Sequence, residues 1–179
     1  WVYFIELKGK KLIPFLDLKK INAKYKTELL KVCEKVINSG SYIRAKEVKK
    51  FEYDFAKYCG VKFCIGVGNG LDALKITLRA WKELGKLKEH DEVILPANTF
   101  IATILAITEN RLTPILVEPD KNSYNLDPEL VKKAVTKKTK VILPVHLTGL
   151  SCDMDSIDEL AKNYSNKNKN KIYVIYDSA

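Results

Sequence analysis

Apolar positions recur along the chain in two alternating rhythms. Short runs dominated by apolar residues stand at 62–67, 91–96, 113–117, 140–145 and 172–176. Each is rich in Val, Ile or Leu, and runs of this length read as strands buried on both faces. Between them the apolar residues fall three and four apart. Ile21, Tyr25, Leu29, Val32 and Val36 mark one stripe, with Asn22 as its expected cap and Ser39-Gly40 as its stop. Val48, Phe51, Phe55 and Tyr58 mark a second helix over 46–58, ended by Cys59-Gly60. Leu71, Leu74, Leu78 and Trp81 mark a third, reaching about Leu84. Further helices are expected over 99–109, from Asp127-Pro128 with Asp as cap and Pro at the first helical position, and from Met154 to about Tyr164. Strands alternating with helices predict an α/β fold with a mostly parallel sheet flanked by helices.

Composition narrows the class. The 179 residues are 46% hydrophobic and 30% charged, enough for one core in a soluble domain. No apolar run approaches the roughly 20 residues of a membrane helix, so no membrane partner is expected. The first seven residues are too short an apolar stretch for a secretory signal, and a cytoplasmic location is expected. The chain opens on Trp1 and not Met, as a processed chain or a fragment would. The net charge of +9 comes mainly from lysines scattered over helix faces. The one dense cluster, 162–171, reads as a solvated loop between a helix and a strand. With no recognition motif beside it, nucleic acid is not an expected partner. Cys33, Cys59, Cys64 and Cys152 form no C-x-x-C pair and His90 and His146 stand alone, so no metal site is expected.

The chemistry concentrates at strand ends. Val67-Gly68-Asn69-Gly70-Leu71-Asp72 carries a strand through a glycine turn into a helix. Such a turn leaves the first helical N–H groups unpaired and adds the positive end of the helix dipole, which suits a phosphate. The plainer reading is a compact strand-to-helix turn. The spacing is not that of a dinucleotide fingerprint, because Leu71 stands where G-x-G-x-x-G needs its third glycine. Ligands of open parallel sheets sit at the carboxyl ends of the strands. Here those ends supply the glycine turn, 96–100, 118–120, 145–149 and Asp177. An anion-binding turn, an aromatic ring and a carboxylate could thus converge on one flat, charged ligand.

The ordered set of segments resembles the DegT/DnrJ/EryC1/StrS family of sugar aminotransferases. The matching pieces are 13–18, Ser39-Gly40-Ser41-Tyr42-Ile43, 51–61, 66–74, Pro96-Ala97-Asn98-Thr99-Phe100-Ile101-Ala102-Thr103, Pro144-Val145-His146-Leu147-Thr148-Gly149 with Asp153-Met154-Asp155, and Asp177-Ser178-Ala179. Each is weak alone, and the order makes them specific. The resemblance implies the type I fold of pyridoxal 5'-phosphate enzymes. It divides the chain into an N-terminal extension, 1–12, and an incomplete cofactor-binding large domain, 13–179, with the small C-terminal domain missing.

The resemblance also implies roles. Gly70 and Leu71 correspond to the amides that hold the cofactor phosphate. Many members have Thr-Ala where this chain has Leu71-Asp72, so a hydroxyl contact to phosphate is expected to be missing. Phe100 corresponds to the aromatic that stacks on the pyridine ring, although periodicity alone makes it a core residue. Asp177 corresponds to the carboxylate that keeps the ring nitrogen protonated, letting the ring take up an electron pair. On the residues alone it reads equally as a helix cap. His146 matches a position expected to be structural. The family's Schiff-base lysine would lie beyond residue 179, so no catalytic residue is assigned.

For a complete enzyme the resemblance implies a homodimer that aminates a nucleoside-diphosphate-linked keto-deoxysugar, with an amino acid such as glutamate as donor. The wording Gly-Asn-Gly-Leu-Asp-Ala-Leu points to C3 of a dTDP-3-keto-6-deoxyhexose. Two other readings stay open. One is a non-catalytic relative that binds a cofactor, a nucleotide sugar or a partner subunit. The other is a nucleotide-binding oxidoreductase, weakened by the glycine spacing. The 179 residues alone are expected not to transaminate. Borohydride treatment of the chain mixed with pyridoxal phosphate should leave no single stoichiometric lysine adduct. Such an adduct accompanied by turnover would overturn this expectation.

Overall fold

A computed structural model describes residues 14–168 and 170–178, without the side chain of Asn168. The expected extension 1–12 lies outside the described residues. The chain divides into two compact units, residues 1–66 and 67–179.

The first unit holds α1 (Leu18–Ala23), α2 (Lys26–Ser39) and α3 (Lys46–Tyr58). The apolar stripe predicted as one helix from Asn22 is divided between α1 and α2. Asp17 and not Asn22 caps α1, its carboxylate accepting from the Lys20 amide at 2.9 Å. A stripe records which face is apolar, and it runs on unbroken past a break in the backbone ladder at Lys24 and Tyr25. Gly40 closes α2 in the left-handed conformation at φ 61°, as its sequence position suggested. After α3 the Glu52 carboxylate accepts from the Gly66 amide at 2.8 Å. The strand expected over 62–67 is absent, and the segment is irregular. A β-prone run becomes a strand only where another strand supplies partners for its backbone, and among the described residues none does.

The second unit is α/β. Its elements in order are α4 (Gly70–Glu83), β1 (Glu92–Pro96), α5 (Ile101–Glu109), β2 (Thr113–Val117), α6 (Pro128–Ala134), β3 (Thr139–Ile142), a 3₁₀ turn (Leu147–Gly149), α7 (Met154–Asn168) and β4 (Tyr173–Val174). The four strands form one sheet in the order β2-β1-β3-β4, and every pairing is parallel. Alternation along the strands builds two cores. Val93, Leu95, Val141 and Leu143 pack with Leu74 and Leu78 of α4 and with Ala106 and Ile107 of α5. Ile94 and Ile142 turn the other way and meet Val131 of α6 and Ile157 and Ala161 of α7. Strands buried on both faces explain why their sequence is continuously apolar.

Local signals set the helix ends. Asp127 caps α6, accepting from Glu129 and Leu130, with Pro128 in the first turn as expected. The lysine- and asparagine-rich stretch after Tyr164, expected to be a loop, is helical as far as Asn168. There Ser165 bonds back to the Ala161 carbonyl and accepts from the Ile172 amide, while Tyr164 reaches the Lys132 carbonyl. Polar residues on a solvated face do not oppose a helix whose other side is anchored.

The loop after β3 is held from beneath. Asn125, only 3% exposed, accepts from the Leu147 amide and donates to the carbonyls of Leu150 and Ser151. Replacing it removes three hydrogen bonds that a buried side chain makes to this loop. Asn125→Ala should lower unfolding free energy by about 2–3 kcal/mol, measured by urea denaturation. A loss below that of an ordinary surface substitution would show that the loop does not depend on it.

Candidate functional site

The elements that flank the carboxyl edge of the sheet enclose a cavity of about 530 Å3. Three sources furnish it: the start of α4, the β1–α5 turn, and the ends of β3 and β4.

At the start of α4, Asn69 is extended and its Oδ1 accepts from the Asp72 amide at 2.9 Å. The Asn69 carbonyl takes the Ala73 amide at 3.1 Å. Asp72 and Ala73 are thereby satisfied, and the N–H groups of Gly70 and Leu71 have no partner among the described residues. Both residues line the cavity. The glycines do not serve here through left-handed backbone, since neither Gly68 nor Gly70 has positive φ. A Cβ at Gly68 would stand 2.8 Å from Asp72 Oδ2, so the Asp72 side chain and its bond to the Asn69 side-chain amide would have to shift.

At the end of β1 the Ala97 amide donates to the Val117 carbonyl, and the chain turns into α5 through Phe100. Phe100 is 75% exposed and lines the cavity, so the core position suggested by periodicity is corrected. It precedes the first residue of α5 in extended backbone, and helical spacing does not govern a residue outside the helix. Just within α5, Thr103 is 1% exposed. Its hydroxyl lies 2.8 Å from that of Thr99 and 3.5 Å from Asp177 Oδ2.

Asp177 is set by its backbone. Its amide donates to the Pro144 carbonyl at 2.9 Å, and its carbonyl accepts from the His146 amide at 2.9 Å. These bonds form a parallel bridge with Val145 beyond the last regular pairs of β3 and β4. The carboxylate therefore enters the cavity from a fixed point. Of the residues singled out by the sequence, Gly70, Leu71, Phe100 and Asp177 all line this one space. Thr99, Thr103 and the Asn69 cap lay within quoted segments without an assigned role. No local pattern gave the threonines a role: Thr99 stands before α5 and Thr103 within it, and the turn through Phe100 brings their hydroxyls together.

His146 stays outside the lining. Its Nδ1 accepts from the Cys152 amide at 3.0 Å, and its ring stacks on Tyr176 at 5.5 Å. Burial, reinforced by the bond to Asp158, pushes the Tyr176 phenol well above its ordinary range, so it remains a donor. Burial also raises the Cys152 thiol, which donates to the Val145 carbonyl. Among the described residues no group of three or more His, Cys, Asp or Glu could hold a metal ion. No helix among them is long and apolar enough to cross a membrane. A larger groove of about 740 Å3 runs between α6 and α7. Glu129, Glu159 and Asp153 face Lys132 and Lys167 there, so it holds no bias toward an anion.

The cavity fits a flat ring bearing a phosphate. Two free amides at a helix start suit the anion, an exposed aromatic offers a plane, and a carboxylate stands ready for a ring cation. Its size lies within the range of small-molecule sites. Because Phe100 projects from the core, Phe100→Ala should change unfolding free energy by no more than about 0.5 kcal/mol. A buried Phe would cost roughly 3–5 kcal/mol, and a loss of that size in urea denaturation would contradict the exposed placement.

Comparison with known proteins agrees with this geometry. Residues 23–179 match the model of the DegT/DnrJ/EryC1/StrS aminotransferase family. A dTDP-3-amino-3,6-dideoxy-alpha-D-galactopyranose transaminase of Aneurinibacillus thermoaerophilus is 53% identical over 87% of this chain and 42% of its own length. Among solved structures, DesV of S. venezuelae in complex with a ketimine intermediate is 39% identical, with a TM-score of 0.84. That match covers 93% of this chain and 42% of DesV. NtdA of Bacillus subtilis with bound cofactor PMP is 30% identical, with a TM-score of 0.83, over 96% of this chain and 38% of NtdA. The chain thus spans about two-fifths of the length of these relatives, as their N-terminal part. It is a relative of nucleotide-sugar aminotransferases and belongs to the DegT/DnrJ/EryC1/StrS aminotransferase family.

Proposed function

We propose that this chain is the cofactor-binding part of an aminotransferase that places an amino group on a nucleoside-diphosphate-linked keto-deoxysugar. The observation that carries this reading is the convergence of Gly70, Leu71, Phe100 and Asp177 on one cavity. When bound, pyridoxal phosphate supplies an electron sink and a carrier for the amino group. The Gly70 and Leu71 amides hold its phosphate, with the α4 dipole adding to their charge. The Leu71 side chain packs toward the core beside Leu74, so at this position the backbone alone serves the phosphate. Phe100 covers one face of the ring and limits its tilt. Asp177 holds a proton at the ring nitrogen, which raises the ring's capacity to accept electrons.

No lysine lines this cavity among the described residues. The residue that anchors the cofactor covalently and moves the substrate proton belongs, in this proposal, to sequence beyond residue 179. An amino acid such as glutamate donates nitrogen and leaves as its 2-oxo acid, and the sugar ketone becomes an amine. A 3-keto sugar carried on dTDP is the favoured acceptor. The named activity of the 53% identical relative, which forms a 3-amino sugar, supports that choice. A second copy of the chain completes the enzyme, and exposed Phe51, Phe55, Phe63 and Ile65 in the first unit support such an interface.

The test uses the full-length protein with pyridoxal phosphate, glutamate and matched dTDP-linked 3-keto and 4-keto 6-deoxyhexoses. Amination at C3, detected by mass spectrometry and NMR of the product, is the expected result. Preference for the 4-keto sugar would overturn the regiochemistry. Binding of the cofactor without amination of either sugar would favour a non-catalytic relative.

A further inference from the structure

Phe100 is 75% exposed, and no side-chain hydrogen bond caps α5 at that position. Core packing therefore does not fix its ring, and the β1–α5 turn that carries it must do so. Two bonds tie the start of this turn to β2 and to the loop that follows it. The Ala97 amide donates to the Val117 carbonyl at 2.8 Å, and the Asn98 side-chain amide donates to the Tyr124 carbonyl at 3.0 Å. A carbonyl can only accept, so the nitrogen of Asn98 and not its oxygen faces it. Asn98 is itself exposed, so burial does not demand that it find a partner.

The acceptor belongs to a braced loop. Between β2 and α6, Asp120 Oδ1 accepts from the amides of Asn122 and Ser123 and from the Ser123 hydroxyl. These bonds, that of the Ser123 amide first, hold the Asp120 carboxyl below the ordinary carboxylate range, so it stays an acceptor at neutral pH. The Asp120 carbonyl accepts from the Tyr124 amide and the Asp120 amide donates to the Asn125 carbonyl, both at 2.9 Å. Asn125 and Leu126 are buried and anchor the far end. Within this loop Tyr124 takes left-handed backbone at φ 59°, which costs a bulky residue free energy and persists only where its surroundings enforce it. Its ring is exposed, and its carbonyl is the group that Asn98 uses. We infer that Asn98 is a positioning residue: through the Tyr124 carbonyl it ties the β1–α5 turn to the braced loop and so sets the tilt of Phe100, two residues on. This rests on the proposed stacking of Phe100 on the pyridine ring. Stacking depends on the angle and offset of the two planes, so a freed turn weakens the contact without removing the ring.

The test uses the full-length protein and pyridoxamine phosphate, which binds without a covalent bond. Two quantities are read: the dissociation constant, and the circular dichroism of the bound cofactor's absorption band, which reports how rigidly the ring is held. Asn98→Ala, which lacks the donor, should weaken binding roughly fivefold, the scale of one ordinary hydrogen bond. It should also reduce the dichroic band. Asn98→Asp is close to the native size but offers the Tyr124 carbonyl no proton, so it should match Asn98→Ala. An Asp variant that behaves as the native protein would overturn the inference. Because Asn98 is exposed, both variants should fold and keep the native urea midpoint.

A double-mutant cycle with Phe100→Ala decides whether Asn98 acts through that ring. If it does, Asn98→Ala adds no further loss once the ring is gone. An equal loss in both backgrounds would show a role unconnected with Phe100 and overturn the inference. If Phe100→Ala alone weakens binding and reduces the band while the Asn98 variants do neither, the Asn98 inference fails and the proposed stacking stands. If Phe100→Ala leaves both readouts unchanged, Phe100 does not cover the cofactor ring and both fail.

Discussion

A parallel sheet ends all its strands on one side, and the site in this protein follows from that constraint. Each crossover through a helix returns the chain to begin the next strand at the same edge, so every carboxyl end reaches the opposite edge. Phe100, Val145 and Asp177, far apart in the chain, arrive at one rim because β1, β3 and β4 point the same way. The pairing is secured by burial on both faces. Val93 and Leu95 serve one core and Ile94 the other, so a slip of one residue would exchange the two cores.

Past the last regular pairs, single hydrogen bonds do the positioning. The bridge between Val145 and Asp177 lets β3 and β4 separate into loops while their backbones stay in register for one more residue. At that residue the backbone N–H and C=O are both used and Asp177 lines the cavity. The Asn69 cap acts in a similar way at the start of α4. By taking the Asp72 amide it decides which helical N–H groups remain for an anion. In both places an internal hydrogen bond narrows the choice of what faces the ligand. The 2.8 Å contact between the Thr99 and Thr103 hydroxyls is a side-chain counterpart, joining a residue before α5 to one inside it.

Much of this was legible in the residues. The strand at 113–117, the cap at Asp127 with Pro128, the helix over 46–58 and the general α/β rhythm depend on neighbours along the chain. Periodicity, capping and turn chemistry act over a few residues, so they can be read locally. The four residues expected at the site came from matching ordered segments to a family, and the fold brings all four to one cavity. Phe100 shows the limit of periodicity, because a residue just outside a helix escapes the helix's spacing.

The sequence by itself determined which segments are apolar, where helices are capped, and which residue types stand at strand ends. Only the tertiary structure decided what each segment pairs with. The run at 62–67 has a strand's composition but pairs with no strand among the described residues, while the polar stretch after Tyr164 gains helix because Ser165 and Tyr164 find partners elsewhere. The direction of the Thr103 hydroxyl is of the same kind: Asp177 lies 74 residues away along the chain and 3.5 Å away in space. Backbone and hydroxyl hydrogen bonds are satisfied by whichever partner the fold brings near, and no local pattern encodes a partner that distant.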